Sequence, residues 1–316
     1  MRRLSFGHAQ TRDIRRSPVV RCVLHARLVG VRPAGGSMIT LRCGRKVRLE
    51  EYGDLAGAPA LWFHGGFSSR LEATPLDVPA RELGLRIISL DRPGFGGSDP
   101  LPGRTVTGYA SDVVEVLDAL GIERAAVGGL SNGGMYTMAV ASQIPDRVLH
   151  AVPLNPTTPV ADAAARAGLP RGGRMAYAMM ARNPEQTAKR AVRSASPGRI
   201  AAAVNRLTNP DAPLLDDNPL AAAAWAANLA EAQRQPESGS VVTELRQATS
   251  PWGFDHRAVE VPVTLVSGEK DAGLGYARVW ATELPQGRLV VLPGGHTNIL
   301  APAVAQRIAE LLLGHP

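Results

Sequence analysis

The sequence of 316 residues predicts an α/β protein built on a doubly wound, mostly parallel sheet with an inserted helical lid. Short apolar runs typical of buried strands alternate with longer stretches of helical periodicity along most of the chain. Glycine-rich loops follow several of these runs, as expected where strands end at a sheet edge. The alternation stops once, between Asn155 and about Val259, where no strand-like run occurs. Alternating strands and helices favour parallel strands joined by right-handed crossovers, and the exceptional stretch favours an insertion.

The first part of the predicted sheet starts with a hairpin. Two alternating runs, Met38–Arg42 and Lys46–Tyr52, flank the pair Gly44-Arg45, which is a turn signal. The elements that follow share clear apolar periodicity, and they are strands at residues 60–63 and 86–90, a short helix at 79–83 and a longer helix at 107–120. Gly121 ends the longer helix, as glycine commonly does.

The second part of the predicted sheet flanks the insertion. Ala125–Gly128 is typical of a short buried strand, and Met135 and Met138 lie at helical spacing in the segment after it, which ends near Pro145. The remaining elements carry the same signals, and they are strands at residues 149–154, 261–267 and 288–292 and helices at residues 276–284 and 299–313.

The insertion sets the predicted domain organisation. Its helical pieces are predicted at residues 173–182, 184–195, 200–207 and 219–232. Helices inserted between two strands of such a sheet indicate a cap or lid over the carboxyl edge. We therefore expect an α/β core formed by residues 38–155 and 260–316, with a helical cap at residues 156–259.

Residues 1–37 differ from the rest of the chain in charge. They contain eight Arg and one acidic residue, Asp13, so they account for the whole net charge of +7, and residues 38–316 are neutral. A basic face for nucleic acid is therefore not expected on the globular part. The apolar stretch after Arg15-Arg16 is broken by Pro18 and Arg21, which argues against an export signal. We expect a disordered Arg-rich extension and a working protein that starts near Met38.

Cysteine usage and hydropathy limit the classes of protein to which the chain can belong. Cys22 and Cys43 fit neither metal-ligand spacing nor a disulfide framework, which favours a reducing compartment and a cytoplasmic location. No apolar run approaches the ~20 residues that a helix needs to cross a bilayer. We expect a small-molecule substrate and neither a nucleic-acid nor a membrane partner, and the oligomeric state is left open.

The stretch Gly129-Leu130-Ser131-Asn132-Gly133 is the strongest catalytic signal. It fits a Gly-x-Ser-x-Gly turn, which leads a strand into a helix and holds the serine at a sharp, strained position. The residues two positions either side of the serine must lack side chains to avoid collision. The strand predicted before this stretch and the helix predicted after it supply the context that the motif requires. Ser131 is therefore the predicted nucleophile.

A serine nucleophile needs a base, and the base needs an acid that orients it. His296 lies in a glycine-rich loop just past a strand, where its side chain can project over the sheet edge. His64 also ends a strand, but the two glycines after it suit a loop of amide donors better. Asp271 follows the strand before the penultimate helix and is the predicted acid, with Glu269 in the same loop as the alternative.

Acyl transfer also needs donors for the oxyanion that develops on the substrate carbonyl. The amide of Asn132, at the start of a helix, is one predicted donor. Gly66, in the loop after the strand at residues 60–63, is predicted to supply the second.

These motifs, taken in order, resemble the α/β-hydrolase fold family from Met38 to the C-terminus. The shared features are His64-Gly65-Gly66, Asp91-Arg92-Pro93-Gly94-Phe95-Gly96, Gly129–Gly133, Gly268 with Asp271, and Gly295-His296. The resemblance implies a catalytic triad of Ser131, His296 and Asp271. It also implies an oxyanion hole at Gly66 and Asn132, and a helical cap at residues 156–259.

Three features depart from the usual pattern of that family. No proline follows Gly65-Gly66, so Phe67 could share the oxyanion role. Asn132 replaces the more usual Met, Trp, Gly or Ala after the nucleophile. Residues 272–275 lack the proline that commonly follows the acid.

The resemblance implies a serine hydrolase of the esterase or proline-iminopeptidase-like branch, and a serine nucleophile disfavours the haloalkane dehalogenase and epoxide hydrolase branches. Cleavage of a small-molecule carboxylic ester through an acyl-enzyme is the leading interpretation, with no metal or organic cofactor. The alternatives are a proline-iminopeptidase-like aminopeptidase, an acyltransferase or perhydrolase that uses the same triad, and a non-catalytic ligand-binding protein on the same fold.

The lid and the Gly65-Gly66 loop supply the candidates for substrate contacts. The residues expected to line an apolar pocket are Phe67, Met179 and Trp225. An aminopeptidase would instead need acidic lid residues that bind the substrate ammonium, and the candidates are Glu185, Glu231, Glu237 and Glu244.

A chain that begins at Met38 is expected to fold and to keep its activity, because the charged extension adds no element of the predicted sheet. Solubility, circular dichroism and activity of the shortened chain check this prediction. An insoluble or inactive product would show that residues 1–37 contribute to the folded domain.

Overall fold

The computed structural model describes residues 36–167, 169, 171–187, 211–216 and 218–315. The predicted extension lies outside this part of the chain except for Gly36 and Ser37. The helix predicted at residues 200–207 also lies outside it, as do residues 188–195 of the helix predicted at 184–195.

An eight-stranded sheet forms the core. Its strands are β1 Met38–Thr40, β2 Lys46–Gly53, β3 Ala58–Phe63, β4 Leu85–Leu90, β5 Ala125–Leu130, β6 Val148–Leu154, β7 Val263–Gly268 and β8 Gly287–Leu292. They lie in the order β1-β2-β4-β3-β5-β6-β7-β8. Strand β2 pairs antiparallel with β1 and β4, and every other pair is parallel. The predicted hairpin and the mostly parallel α/β sheet are confirmed.

Both faces of the inner strands of this sheet are buried, as is usual for parallel sheets. Alternate residues of β3 show this directly, because side chains alternate between the faces with a period of two. Leu61 and Phe63 belong to one apolar cluster, whereas Ala60 and Trp62 belong to the other. The helices therefore cover the sheet on two sides, which leaves its carboxyl edge for loops.

The helices of the described residues are α1 Asp77–Glu82, α2 Tyr109–Ala119, α3 Asn132–Gln143, α4 Ala163–Ala167, α5 Arg171–Arg182, α6 Ala212–Asp216, α7 Pro219–Ala232, α8 Ser240–Thr249, α9 Leu274–Glu283 and α10 Pro302–Leu312. Helices α4 to α8 lie between β6 and β7, where the sequence predicts an insertion. In the part of the chain that the structure describes, no helix is both long and apolar enough to pass through a bilayer.

Helix α8 is absent from the sequence-based prediction. Its first turn contains Val241, Val242 and Thr243, and β-branched residues are poor helix formers because their χ1 freedom is restricted. Packing decides instead, since Leu245 and Ala248 are buried on one side of the helix. Tertiary contacts thus override local propensity here.

The single helix predicted at residues 299–313 is wrong. The structure has a short 3-10 turn, Asn298–Leu300, followed by α10, which begins at Pro302. Ala301 between them is extended, with φ −79° and ψ 125°. A residue before proline avoids the helical conformation, and proline is favoured at the first helical position, so the break falls at Ala301.

Candidate active site

The elbow after β5 holds Ser131 in a strained conformation. Its φ is 57° and its ψ is −118°, a region that L-residues rarely adopt. A Cβ at Gly129 would lie 2.4 Å from the carbonyl oxygen of Phe63, and one at Gly133 would lie 1.8 Å from the same oxygen. The expectation that both positions must lack a side chain is confirmed.

Neighbouring backbone fixes this elbow in place. The Ser131 amide donates to the carbonyl of Leu154 at the end of β6, at 2.9 Å. The Ser131 carbonyl accepts from the amides of Gly134 and Thr157, at 2.9 and 3.1 Å. Asn132 is the first residue of α3, and the first amides of a helix have no acceptor within that helix. Its amide is therefore suited to an external acceptor.

His296 and Asp271 form a close pair. Nδ1 of His296 lies 2.7 Å from Oδ2 of Asp271, and the amide of Gly273 donates to Oδ1 at 2.7 Å. A proline at position 273 would have no N–H for this bond. The side chain of Glu269 is 52% exposed and contacts Lys270 at 3.7 Å. The geometry favours Asp271 over Glu269 as the partner of His296.

The pair alters the pKa of both groups. Partial burial opposes charging of the His296 ring, but the hydrogen bond and negative charge of Asp271 outweigh it and raise the pKa of His296. Burial also disfavours the Asp271 carboxylate, yet the hydrogen bond and charge of His296 outweigh it and lower the pKa of Asp271. Asp271 therefore favours the imidazolium, which is the form that a general base reaches after it takes a proton.

Within the described residues, no hydrogen bond links the hydroxyl of Ser131 to the ring of His296. The His296 side chain is 44% exposed, so it is open to an incoming group. Hydrogen bonds between a nucleophile and its base are often long in unliganded structures and tighten when substrate binds.

The loop after β3 lies against the elbow. A Cβ at Gly65 would lie 3.7 Å from the Cβ of Ser131, and one at Gly66 would lie 2.8 Å from Nδ2 of Asn132. Only a residue without a side chain can pack so closely on Asn132. The two predicted oxyanion donors are thus brought together at one edge of the sheet.

His64 is buried and neutral. Its Nε2 accepts from the Arg92 amide at 3.1 Å, so its Nδ1 donates to the Gly65 carbonyl at 2.7 Å. Burial and the nearby Arg92 guanidinium hold the pKa of His64 well below its usual range. These bonds occupy both ring nitrogens, in agreement with the view that His64 is not the base.

Asn132 is clamped by two side chains. Its Nδ2 donates to Glu244 Oε2 at 2.9 Å, and its Oδ1 accepts from the Thr157 hydroxyl at 2.5 Å. Glu244 lies on α8, is 1% exposed and forms ion pairs with Arg92 and Arg104 at 3.2 and 2.7 Å. Burial disfavours its charge, but the two guanidinium groups outweigh this and lower the pKa of Glu244 to about 2. Glu244, one of the four candidate lid acids, is therefore a buried and ion-paired carboxylate.

Asn155 is a polar residue of the site to which the sequence analysis assigns no role. It follows the last residue of β6 with φ 42°, and its Nδ2 donates to the carbonyls of Gly295 and His296 at 3.2 and 2.9 Å. Its Oδ1 accepts from the Gly268 amide at 2.7 Å. Asn155 thus joins the loops that carry Asp271 and His296. An asparagine where a strand reaches the carboxyl edge was the available signal.

Glu72 is a buried carboxyl beside the elbow, and no sequence motif includes it. Its Oε1 accepts from Trp62 Nε1 at 3.1 Å, and its Oε2 accepts from the Gly65 amide at 2.9 Å. Burial outweighs these hydrogen bonds and raises the pKa of Glu72 to about 7. The carboxyl group at the base of the Gly65-Gly66 loop therefore binds a proton more readily than an exposed glutamate does.

The predicted pocket residues differ in exposure. Phe67 and Met179 are 40% and 62% exposed, whereas Trp225 is 6% exposed. Trp225 packs in the same apolar cluster as Leu215, Leu229 and Leu300. Contact of these three residues with a substrate stays a prediction. No group of three potential metal-ligating side chains occurs within the ranges that the structure describes.

Comparison with known proteins agrees with the observed fold. Residues 60–301 match the family model of the alpha/beta hydrolase fold. This match covers most of the chain, and the chain therefore belongs to the α/β-hydrolase fold family.

Curated relatives match over shorter stretches. The chain is 33% identical over 101 residues to 3-oxoadipate enol-lactonase 1 of Acinetobacter baylyi, covering 32% of this chain and 38% of that protein. It is 31% identical over 124 residues to a non-heme chloroperoxidase of Streptomyces lividans, covering 39% and 45% of the two chains. The matched part thus spans less than half of each relative's length.

Solved structures agree over nearly the whole fold. A thermophilic esterase from Thermogutta terrifontis has a TM-score of 0.68 at 24% identity, covering 89% of this chain and 99% of that chain. The enol-lactonase from Burkholderia xenovorans LB400 has a TM-score of 0.65 at 19% identity, covering 88% and 100%. At these identities the similarity is one of fold.

Gly133→Ala is expected to lower the free energy of unfolding by at least about 2–3 kcal/mol, because the new Cβ overlaps backbone that cannot move aside. Gly172→Ala on α5 is the matched control, since a Cβ there meets nothing within 4 Å. Chemical denaturation of both variants checks the prediction. Equal stability of the two would contradict the close packing at the elbow.

Proposed function

We propose that the chain hydrolyses carboxylic esters of small molecules through an acyl-enzyme on Ser131. The observation that carries this proposal is the strained serine at the end of β5, at the same sheet edge as the His296–Asp271 pair and the Gly65-Gly66 loop. Nucleophile, base, orienting acid and amide donors are the groups that acyl transfer requires.

The proposed reaction has two halves. His296 accepts the Ser131 proton as the hydroxyl oxygen attacks the ester carbonyl, and it then returns a proton to the leaving alkoxide. Water next attacks the acyl-enzyme with His296 again as base, which releases the carboxylic acid and restores Ser131. Asp271 orients the ring through Nδ1 and favours the imidazolium, which leaves Nε2 as the nitrogen that takes the proton.

The tetrahedral intermediate needs two converging amides. The Asn132 amide, at the first position of α3, combines hydrogen bonding with the positive end of the helix. The amide of Gly66 is the proposed second donor, because this loop packs on the Asn132 side chain. Loss of one such donor typically costs on the order of 10²–10³ in rate.

We further propose that residues 156–259 form the lid of this site. The helices in this segment include α8, whose Glu244 reaches the residue after the nucleophile. A lid formed by helices between β6 and β7 stands at the carboxyl edge, where ligands of open α/β sheets bind. Two of the similar proteins, the enol-lactonase and the esterase, are named for ester chemistry, which supports the proposal.

An aminopeptidase of the proline-iminopeptidase type is the second candidate, and the lid carboxylates disfavour it. Glu244 and Glu231 already pair with Arg92 and Arg70, and Glu185 pairs with Arg246. A carboxylate whose charge is neutralised by arginine attracts a substrate ammonium poorly. Glu237 is the remaining candidate and is exposed.

Asp271→Asn is expected to lower kcat by on the order of 10⁴, because the amide disturbs the ring tautomer and removes the charge that favours the imidazolium. Asp271 raises the pKa of His296, so its loss moves the acid limb of the rate profile to lower pH. Glu269→Gln is the control and is expected to stay within about twofold of wild type. A larger loss for Glu269→Gln than for Asp271→Asn would reverse the assignment of the acid.

A fluorophosphonate probe is expected to label the wild-type protein on Ser131, and Ser131→Ala is expected to abolish labelling. This experiment separates a hydrolase from a ligand-binding protein on the same fold. Absence of labelling in the wild type, with the fold intact by circular dichroism, would contradict the proposed function.

A substrate panel then distinguishes the branches. It contains p-nitrophenyl esters of increasing acyl length beside proline and alanine anilides. Hydrolysis of the esters is expected; hydrolysis of the anilides alone would support the aminopeptidase instead. Adding an alcohol acceptor or hydrogen peroxide tests the acyltransferase and perhydrolase alternatives, which use the same acyl-enzyme.

A further inference from the structure

Three buried side chains of the insertion each contact a different loop of the proposed catalytic site. They are Asp211 before α6, Asn228 on α7 and Glu244 on α8. Their relative exposures are 2%, 0% and 1%. Buried polar groups are costly unless paired, so the partners of these side chains define what they do.

Asp211 holds the backbone on both sides of His296. Its Oδ1 accepts from the Gly295 amide at 2.7 Å, and its Oδ2 accepts from the Thr297 amide at 2.9 Å. A Cβ at Gly294 would lie 2.6 Å from Oδ1, so glycine there allows the carboxylate to come close. One carboxylate from the insertion therefore fixes the turn that carries the proposed base.

Asn228 holds the loop that carries Gly66. Its Oδ1 accepts from the amide and the hydroxyl of Ser69 at 2.9 and 2.7 Å, and its Nδ2 donates to the Ser68 hydroxyl at 2.7 Å. Ser68 and Ser69 are themselves buried. The position of this loop is thus set by a residue 159 positions further along the chain.

Glu244 holds the elbow and the end of β3 together. It accepts directly from Asn132, and it pairs with Arg92, whose Nη1 and Nη2 donate to the carbonyls of His64 and Gly65. The two segments that carry the proposed oxyanion donors therefore share one carboxylate from α8.

We propose that the insertion positions the catalytic loops, with Asp211, Asn228 and Glu244 as its positioning residues, and does not only cover the substrate. The catalytic role of these loops rests on the proposed function, whereas their placement by the insertion does not. Each residue acts through another group: Asp211 through His296, Asn228 through the Gly66 loop, and Glu244 through Asn132. Disturbing them changes the geometry of the reacting groups, and misplacement by about 1 Å can cost on the order of 10² in rate.

The test uses Asp211→Asn and Asn228→Ala in the full chain. Asparagine keeps one acceptor oxygen at position 211, so one of the two amides loses its partner. Asn228→Ala removes no charge, and it carries the test if Asp211→Asn does not fold. Glu244→Gln is less suitable, because it leaves two buried guanidinium groups without a carboxylate. Glu185→Gln is the matched control, since this exposed insertion residue contacts Arg246 and none of the three loops.

The first measurement is amide hydrogen exchange, which needs no activity. Asp211→Asn is expected to speed exchange at Gly295 and Thr297, and Asn228→Ala is expected to speed it at Ser69, while Glu185→Gln changes neither. Unchanged exchange at these amides in folded variants would overturn the proposal. This result stands whether or not the chain is an esterase.

The second measurement compares a small fluorophosphonate, too short to reach the lid, with p-nitrophenyl esters. Both positioning variants are expected to label 10- to 100-fold more slowly with the small probe, and to lower kcat by a similar factor with KM within about twofold. Labelling at the wild-type rate, with only KM raised for long esters, would show that the residues shape the pocket and would overturn the proposal. A wild type that does not label removes the proposed function, and the exchange measurement then decides the placement of the loops alone.

Asp211→Asn has a further signature. The negative charge of Asp211 is one of the causes that raise the pKa of His296. The acid limb of the rate profile is therefore expected to move to lower pH in this variant, and to stay in place in Asn228→Ala. A purely structural loss would leave the limb unchanged in both.

Discussion

The backbone of Ser131 sets the constraint on which the rest of the site depends. A non-glycine residue in this conformation costs about 1–3 kcal/mol and persists only where the surroundings hold it. Here β5 and α3 approach Phe63 so closely that only glycine is accommodated at positions 129 and 133. The turn also puts Asn132 at the first position of α3, where its amide has no acceptor within the helix. Strand, turn and helix therefore place the proposed nucleophile next to one of the proposed oxyanion donors.

Buried polar side chains lie at the carboxyl edge of the sheet, and hydrogen bonds satisfy them. Asn155 joins the ends of β6 and β7 to the His296 loop, and Glu72 fixes the Gly65 amide. Removing one partner of a buried hydrogen bond typically costs about 1–3 kcal/mol, more when the remaining group is charged. The order of this edge thus comes from many mutually dependent contacts, with the loops held from the core and from the insertion.

Signals within short stretches of sequence account for the elements that the sequence predicts correctly. Strands β3 to β8, the hairpin and most core helices follow from apolar periodicity, and the elbow follows from two glycines around a serine. The exceptions have physical causes: Pro302 splits the last helix, and packing makes a helix of the β-branched Ser240–Thr249. In the sequence, only the position along the loop distinguishes Asp271 from Glu269 as the candidate acid, because both residues lie in one loop. Glu244 could not be placed at all, since its partners Asn132 and Arg92 lie 112 and 152 residues away.

The three points of attachment of the insertion bear on how such a chain can change during evolution. In the sequence, the segment between β6 and β7 resembles a module that recombination at its two ends could exchange. In the folded protein, its Asp211, Asn228 and Glu244 are matched to Gly294, Ser69 and Asn132 in the core. A foreign insertion would leave those core groups without partners unless it brought equivalent ones. We therefore expect the insertion and the core residues that it contacts to change together, whereas exposed positions such as Met179 can vary more freely than the buried ones.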